Sequence, residues 1–513
     1  MEFKRITDML DQAARNYPDK IGFVEQDRRM TYREMREKAQ RIAAAILAAF
    51  EEDPSKLSEK EPQPAVTLME GEIGITAAMH GILYAGDCYS VIDVAQPAER
   101  INKIIQSFRP RLMIVSRHLV EQAAGLSFSG KILVYEEIVE SDTGACEVPK
   151  IECEEVSEKL AIVTFTSGST GVPKGVMTGH NGMLYQPVVL RDFTHTEPSD
   201  RVGNQTSLYY ALGEIVLFMS ISAQATNYFI PKSLFSQPGE LAEYMVKNRL
   251  TVLFWASSGV TIFSRFAAWE GYEEELNQTL KTVAFAGDVV PTKLLNKMKK
   301  ALPAPTYAQG YGCSEFYPPV GYHVERELRD DERIPIGAAL PYAKVYLVKE
   351  DGTEAKDGEE GQIWMAGSGM GLGYLNDVEE TDRKFRDNPL NPGERVFLTG
   401  DMAKINEYGE LVFMTRKDFM IKHMGYRVEL GEIELAATSL DDQLQCACVY
   451  NKDKEHIILI YAGSLAPKEL KARLKEKLPR HMVPNRFVRL DSLPLSSTSK
   501  IDRVKLNELY AGK

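Results

Sequence analysis

The sequence predicts an α/β protein: a large N-terminal domain of two α/β subdomains plus a small β-barrel-like subdomain, then a smaller α+β C-terminal domain. Three observations carry this expectation. Short apolar runs of the buried-strand type recur along the first two-thirds of the chain, each followed by a polar or glycine-rich turn. From about Ile334 the pattern changes to short strands separated by Asp-Gly, Pro-Gly and Tyr-Gly turns. The last stretch changes charge: Ala466 to Lys513 holds 12 lysines and arginines against 5 aspartates and glutamates, on a chain of net charge −12.

Taken in order, Ile42, Ala43, Ile46 and Leu47 recur at helical spacing. Leu112–Val115, Leu160–Phe165, Thr251–Trp255 and Thr282–Ala286 are apolar enough to be strands covered on both faces, the mark of largely parallel sheets. Val345–Val348, Gly361–Ala366 and Leu411–Thr415 read as strands of the smaller β-rich unit. In the basic tail, KELKARLKEKL reads as a helix with a solvated face.

Composition excludes several classes. At 513 residues the chain has room for about three domains of ordinary size. The excess of acidic residues repels nucleic acid phosphates over most of the surface, so no nucleic-acid partner is expected. Six cysteines are too sparse for a disulfide scaffold, and Cys446 with Cys448 is only half of a zinc-binding spacing. There is no His-Glu-x-x-His pair. The N-terminus MEFKRITDMLDQ lacks the apolar core of a signal peptide, and the longest apolar stretches fall short of the ~20 residues of a membrane span. A reduced, cytoplasmic enzyme with no membrane insertion is expected.

The most informative segment is TFTSGSTGVPKG, Thr164 to Gly175. It runs from an apolar strand into glycines, hydroxyls and one lysine. Glycine lets backbone N–H groups approach an anion closely, hydroxyls add donors, and Lys174 supplies a point charge. The order is not that of a Walker loop, and no Walker-B strand aspartate accompanies it, which disfavours a plain nucleotide hydrolase.

With further segments the sequence resembles the adenylate-forming acid ligases, which include acyl-CoA synthetases, luciferases and the adenylation domains of nonribosomal peptide synthesis. Thr31 to Met35 resembles the family's T-Y-x-E-L element, and Ala85 to Asp93, with Pro97 and Arg100, the A-G-x-x-Y element of its carrier-loading branch. Tyr311 to Glu315, Thr399 to Asp401, Arg416 to Asp418 with Lys422 to Glu429, and Lys500 to Arg503 follow in family order. In length and free-standing organisation the chain is similar to D-alanine–carrier ligases.

That resemblance implies residues 1–415 as an adenylation core binding ATP and acid, 416–418 as a hinge at Asp418, and 419–513 as a mobile domain carrying the catalytic lysine. It implies Lys500, Glu315 and Arg427 as catalytic, with Glu315 the Mg²⁺ ligand. Thr166, Ser167, Gly168, Ser169, Thr170, Gly171 and Lys174 would cradle phosphates. Gln309 would read the adenine edge and Tyr311 stack on it, while Asp401 and Arg416 would hold the ribose. The reaction is activation of a carboxylic acid by ATP, with an acid oxygen attacking the α-phosphorus, followed by thioester formation. No carrier segment follows Arg503, so the acceptor is expected to be a separate phosphopantetheinyl carrier protein, or else coenzyme A. Ser499 and Thr415 stand where the family usually has glycine. A ligand-binding homologue without catalysis would explain them, but Lys174, Glu315, Asp401 and Lys500 speak for an enzyme.

For the acid pocket the resemblance implies Tyr209, Tyr210, Gly213, Phe254, Ala284, Ala286, Gly310, Pro318 and Pro319. Tyr209 replaces the aspartate that holds a substrate ammonium, and Ala286 stands where D-alanine ligases use cysteine. A set without charge leaves an ammonium unpaired, so an acid lacking an α-amino group is expected, with the Tyr209 phenol free to donate to it. The alternative is an amino acid whose ammonium meets a carboxylate from elsewhere, such as Glu214.

Overall fold

Strands that are apolar on both faces need cover on both sides, and two sheets interleaved along the chain obtain it. The computed structural model describes residues 3–53, 56–57, 60–141, 159–166, 173–416, 420–441, 444–494 and 501–511. One sheet has the order Gly373–Tyr374, Lys174–Gly179, Leu160–Thr166, Cys88–Ile92, Pro64–Leu68, Leu112–Val115, Lys131–Val134, with Lys174–Gly179 antiparallel to both its neighbours and every other pairing parallel. The other has nine strands among the described residues. Its parallel centre runs Thr306–Cys313, Thr282–Ala286, Val252–Ala256, Arg201–Asn204, Thr226–Phe229, Ile21–Glu25, with antiparallel Phe316–His323 and Arg28–Thr31 flanking it.

Val252–Ala256 and Thr282–Ala286 are buried at every position. Their side chains split between two cores by simple alternation. Phe254, Ala284 and Ala286 join the main core, whereas Leu253, Trp255, Val283 and Phe285 join a second one behind the sheet. The strand expected at Thr251 starts one residue later. Thr251 instead uses its hydroxyl to accept from Arg201 N and donate to Asp200 Oδ1.

The main core is built by helices Ile6–Asn16, Tyr32–Ala49, Glu72–Tyr84 and Ala211–Ser222. Glu72–Tyr84 and Ala211–Ser222 are apolar round nearly their whole circumference, as helices enclosed by protein must be. The Thr31–Met35 element is the start of a helix: Thr31 accepts from Glu34 N, and the Glu34 carboxylate accepts from Thr31 N.

A smaller antiparallel sheet follows, with the order Ala343–Val348, Glu360–Gly367, Arg395–Ile405, and both Phe385–Asp387 and Leu411–Arg416 paired to the last of these. The C-terminal portion opens with the hairpin Met420–His423 and Tyr426–Glu429, turned by Met424 and Gly425, both at positive φ. Strands Gln445–Asn451, His456–Ala462 and Arg486–Arg489 then pack with helices Leu430–Thr438, Pro467–Lys477 and Arg503–Tyr510. This portion closes cores of its own, drawn from Val428 to Leu506. No helix among the described residues is long and apolar enough to cross a membrane.

Helices Tyr32–Ala49 and Glu72–Tyr84 touch at Gly81, where a Cβ would lie 2.5 Å from Ile42 Cγ2 and 2.9 Å from Ala39 O. Gly81→Ala should therefore lower unfolding stability in urea by about 1–3 kcal/mol through overpacking, despite the better helix propensity of alanine. An unchanged or raised midpoint would mean that the helices have slack here.

Candidate active site

Glu315 lies in the turn joining Thr306–Cys313 to Phe316–His323 and is 1% exposed. A buried carboxylate needs partners, and two come from far along the chain. The Tyr374 hydroxyl donates to Oε1 at 2.6 Å, and Arg427 Nη1 donates to Oε1 at 2.8 Å and Oε2 at 2.6 Å. Burial opposes ionisation of Glu315, but Arg427 and Tyr374 outweigh it and hold the carboxyl down at about 2. It is an anion at any physiological pH.

Beside it, strand Arg395–Ile405 presents Asp401, also buried. The Tyr311 hydroxyl donates to Asp401 Oδ2 at 2.6 Å, and Thr399 Oγ1 accepts from Asp401 N. Tyr311 thus fixes Asp401, a task its motif did not reveal. Arg416 pairs with Asp401 in the ladder between their strands. Gln309 is buried on the same strand face as Tyr311, and its side-chain oxygen has no partner among the described residues. Lys174 opens strand Lys174–Gly179, with Nζ 3.0 Å from Glu380 Oε1 and 3.4 Å from Glu429 Oε1. Thr166 ends the strand Leu160–Thr166. Ser167, Gly168, Ser169, Thr170, Gly171, Asp418 and Lys500 lie outside the described residues.

The C-terminal hairpin is seated in this site. Tyr426 lies between Tyr210 and His481, its ring centroid 5.0 Å from the first and stacked 4.0 Å from the second. Gly425 packs on Ser258 and Ala256, and Lys422 Nζ is 5.7 Å from the Tyr311 ring centroid. Behind it, buried Arg100 pairs with buried Glu432, and Lys477 Nζ reaches Glu99 at 3.2 Å. Arg503 makes a bidentate pair with Glu434, at 2.7 and 2.5 Å, and so anchors the segment that follows Lys500 to its own domain.

The residues expected to line the acid pocket separate into two groups. A Cβ on Gly310 would stand 3.5 Å from Ala286 Cβ, Phe254 Cζ and Pro318 Cβ, so these four meet; Ala284 pairs with Phe254 and is fully buried on the same face. Gly213 is different. A Cβ there would fall 2.4 Å from the carbonyl oxygens of Thr206 and Ser207, which makes Gly213 a point of close backbone packing rather than a wall. Pro319 packs against Gly312.

Tyr209 is not free to serve as a donor to substrate. Lys232 Nζ donates to its hydroxyl at 2.6 Å, and the phenol, pushed up mainly by burial, lies in hydrogen-bonding reach of Asp93. Of the two charges beside Tyr209, Asp93 closes the 85–93 element, whereas Lys232, at the start of the short helix Lys232–Ser236, has no local signal of its own. Glu214 is fully enclosed against Tyr89 and Thr164, and burial pushes its carboxyl up to about 8. Burial thus works against the charge that Glu214 would need as counter-ion to an ammonium.

The profile of the family described as AMP-binding enzyme matches residues 10–375. Tyrocidine synthase 1 of Brevibacillus parabrevis is 28% identical over 98% of this chain; the chain spans only 45% of that relative's length. An artificially fused adenylation–PCP di-domain NRPS from Klebsiella oxytoca superposes with a TM-score of 0.81 at 20% identity, covering 95% of this chain and 94% of that one. The amide bond synthetase McbA from Marinactinospora thermotolerans gives 0.85 at 18% identity, covering 99% of each chain. At these identities the structures are evidence of fold alone.

The state of Glu214 has a measurable consequence. Its folded-state pKa is raised above the unfolded value, so the stability it confers is complete below about pH 4.5 and is lost as pH rises toward 8. Glu214→Gln removes that loss. Relative to wild type, the variant should gain about 1–3 kcal/mol between pH 5 and pH 7.5 in urea titrations. A constant difference across that range would mean that Glu214 is ionised in place.

Proposed function

The chain belongs to the AMP-binding enzyme family as an AMP-forming ligase that activates an acid by adenylation, and we propose that this acid lacks an α-amino group and is passed to a carrier protein's phosphopantetheine thiol. The observation that carries the substrate reading is Lys232 at the Tyr209 hydroxyl. A substrate ammonium brought to that position would meet the Lys232 ammonium beside an Asp93 carboxylate already engaged with the Tyr209 hydroxyl, and the meeting point of Phe254, Ala286, Gly310 and Pro318 offers it no carboxylate. Glu214, the alternative partner, is buried under Tyr89 and Thr164.

In this reading ATP is the co-substrate. Asp401, held by Tyr311, accepts from the ribose hydroxyls with Arg416 beside it, and Lys174 with the 164–175 loop receives the β- and γ-phosphates. Glu315 suits a divalent cation: it is ionised, and Tyr374 engages only Oε1, while Oε2 is held by the cationic Arg427. Glu315 would hold the Mg²⁺, which would supply positive charge to the phosphates. Among the described residues no group of three His, Cys, Asp or Glu forms a cage, which fits a metal that arrives with its nucleotide. An acid carboxylate attacks the α-phosphorus, the bond to pyrophosphate breaks, and Lys500 steadies the developing charge. A thiol then attacks the acyl carbon and AMP leaves.

In this reading the seated hairpin belongs to the second step, and a rotation about the 416–418 hinge would separate the two steps. Arg427 holds Glu315 and Glu429 holds Lys174, so the groups that serve the phosphates in the first step are engaged by the hairpin. The carrier, rather than coenzyme A, is favoured by the 85–93 element with Pro97 and Arg100. Thiol consumption with each acceptor separates them.

A pyrophosphate-exchange panel of α-amino acids against their des-amino analogues tests the substrate. Exchange should appear with an aryl, short acyl or hydroxy acid and be at least tenfold weaker with the matching amino acid. Strong exchange with an amino acid, and none with its des-amino partner, would overturn the pocket reading.

A further inference from the structure

Ala286, at the C-terminal end of its strand, meets the acid pocket beside Gly310. The opposite ends of the parallel strands in this sheet carry a different chemistry. Lys20 immediately precedes strand Ile21–Glu25, and Arg201 opens strand Arg201–Asn204, paired with Thr226 at the start of the next strand. Val24 pairs with Arg29 on one side and Tyr228 on the other, so these three share a face of the sheet. Lys247 ends the helix Pro238–Lys247. Lys20, Arg29, Arg201 and Lys247 line one cleft of about 250 Å³, which shares no residue with the candidate active site.

The charge of this cleft is unbalanced. The chain carries a net −12, yet the cleft has four cations and no carboxylate in its lining. None of the four forms an ion pair among the described residues. Lys20 Nζ donates to the carbonyl oxygens of Pro198 and Gln224. Arg201 Nη1 donates to Asn248 O at 2.9 Å, which orients the guanidinium, and its other nitrogens have no partner among the described residues. Asp200, the carboxylate whose charge acts on Lys20, is itself taken by Lys281 Nζ at 2.8 Å and by the Thr251 hydroxyl. Burial lowers the pKa of Lys20, as expected of an ammonium desolvated without a full counter-charge. Four like charges around one recess repel one another, and a bound anion removes that cost.

We propose that this cleft binds a small phosphate-bearing polyanion, at a site separate from the one that handles ATP. Two guanidiniums offer the forked N–H donors that match phosphate oxygens, and two ammoniums add point charge. The volume lies below that of pockets for drug-sized ligands, which suits a diphosphate or a compact phosphate ester.

Calorimetric titration of the whole chain with inorganic pyrophosphate and with glycerol 2-phosphate tests this. Arg29 and Lys247 are exposed, so Arg29→Gln/Lys247→Gln removes two charges without opening a core. The double substitution should weaken one phosphate site at least tenfold, and Lys174→Gln should leave that site unchanged. Lys20→Gln should act in the same direction as the double variant and stands in for it if that protein folds poorly. Tighter binding of pyrophosphate would mark the ligand as a free anion and tighter binding of glycerol 2-phosphate as an ester; either supports the cleft. Phosphate binding untouched by these substitutions would overturn the proposal, as would the absence of phosphate binding in a chain that captures an acidic peptide.

Discussion

A carboxylate enclosed by protein has to be paired, and Glu315 obtains its pair from the far end of the chain. With the hairpin seated Glu315 is 1% exposed, and removing Arg427 from that enclosed carboxylate would cost several kcal/mol. The C-terminal portion supplies Arg427 on a two-stranded hairpin whose tight turn, Met424–Gly425, allows the tip to reach Ser258. The aromatic sequence Tyr210, Tyr426, His481 and the Arg100–Glu432 pair then fix its approach. None of these contacts is large, and an interface held by a few buried charges is one that can open when a better partner for Glu315 arrives.

The rest of the molecule supplies a fixed platform for that exchange. Parallel strands put Phe254, Ala286 and Gly310 side by side, with Pro318 facing Gly310 from the flanking antiparallel strand. Helices without a polar face lock the two sheets together. Asp401 and Tyr311 come from different sheets and meet through a hydrogen bond, so this side of the site depends on the small antiparallel sheet docking correctly.

The strand runs and the C-terminal helix were legible in the sequence because burial on two faces, or a 3.6-residue stripe, leaves a local pattern. Thr31 and Glu34 were legible as a motif, and the physics behind it is a capping box. Glu315 and Asp401 were legible only as parts of an ordered set. The contacts around the site were not: Tyr374 on Glu315, Lys232 on Tyr209, and Arg100 with Glu432, 332 residues apart, are pairings with no periodicity to mark them. Gly213 and Pro319 illustrate the converse. Alignment to a pocket position says nothing of which way a residue faces, and backbone oxygens 2.4 Å from the missing Cβ explain the glycine without a substrate.

The central claim is that the seated hairpin and adenylation exclude each other. A Cβ on Gly425 lies 3.9 Å from Ser258 Cβ, within the range of a disulfide. Oxidising Ser258→Cys/Gly425→Cys enzyme traps the seated form, with each single-cysteine variant as control. The account predicts that acid-dependent pyrophosphate exchange disappears on oxidation of the double variant and returns on reduction. Exchange at the same rate in the trapped and reduced enzyme would contradict it.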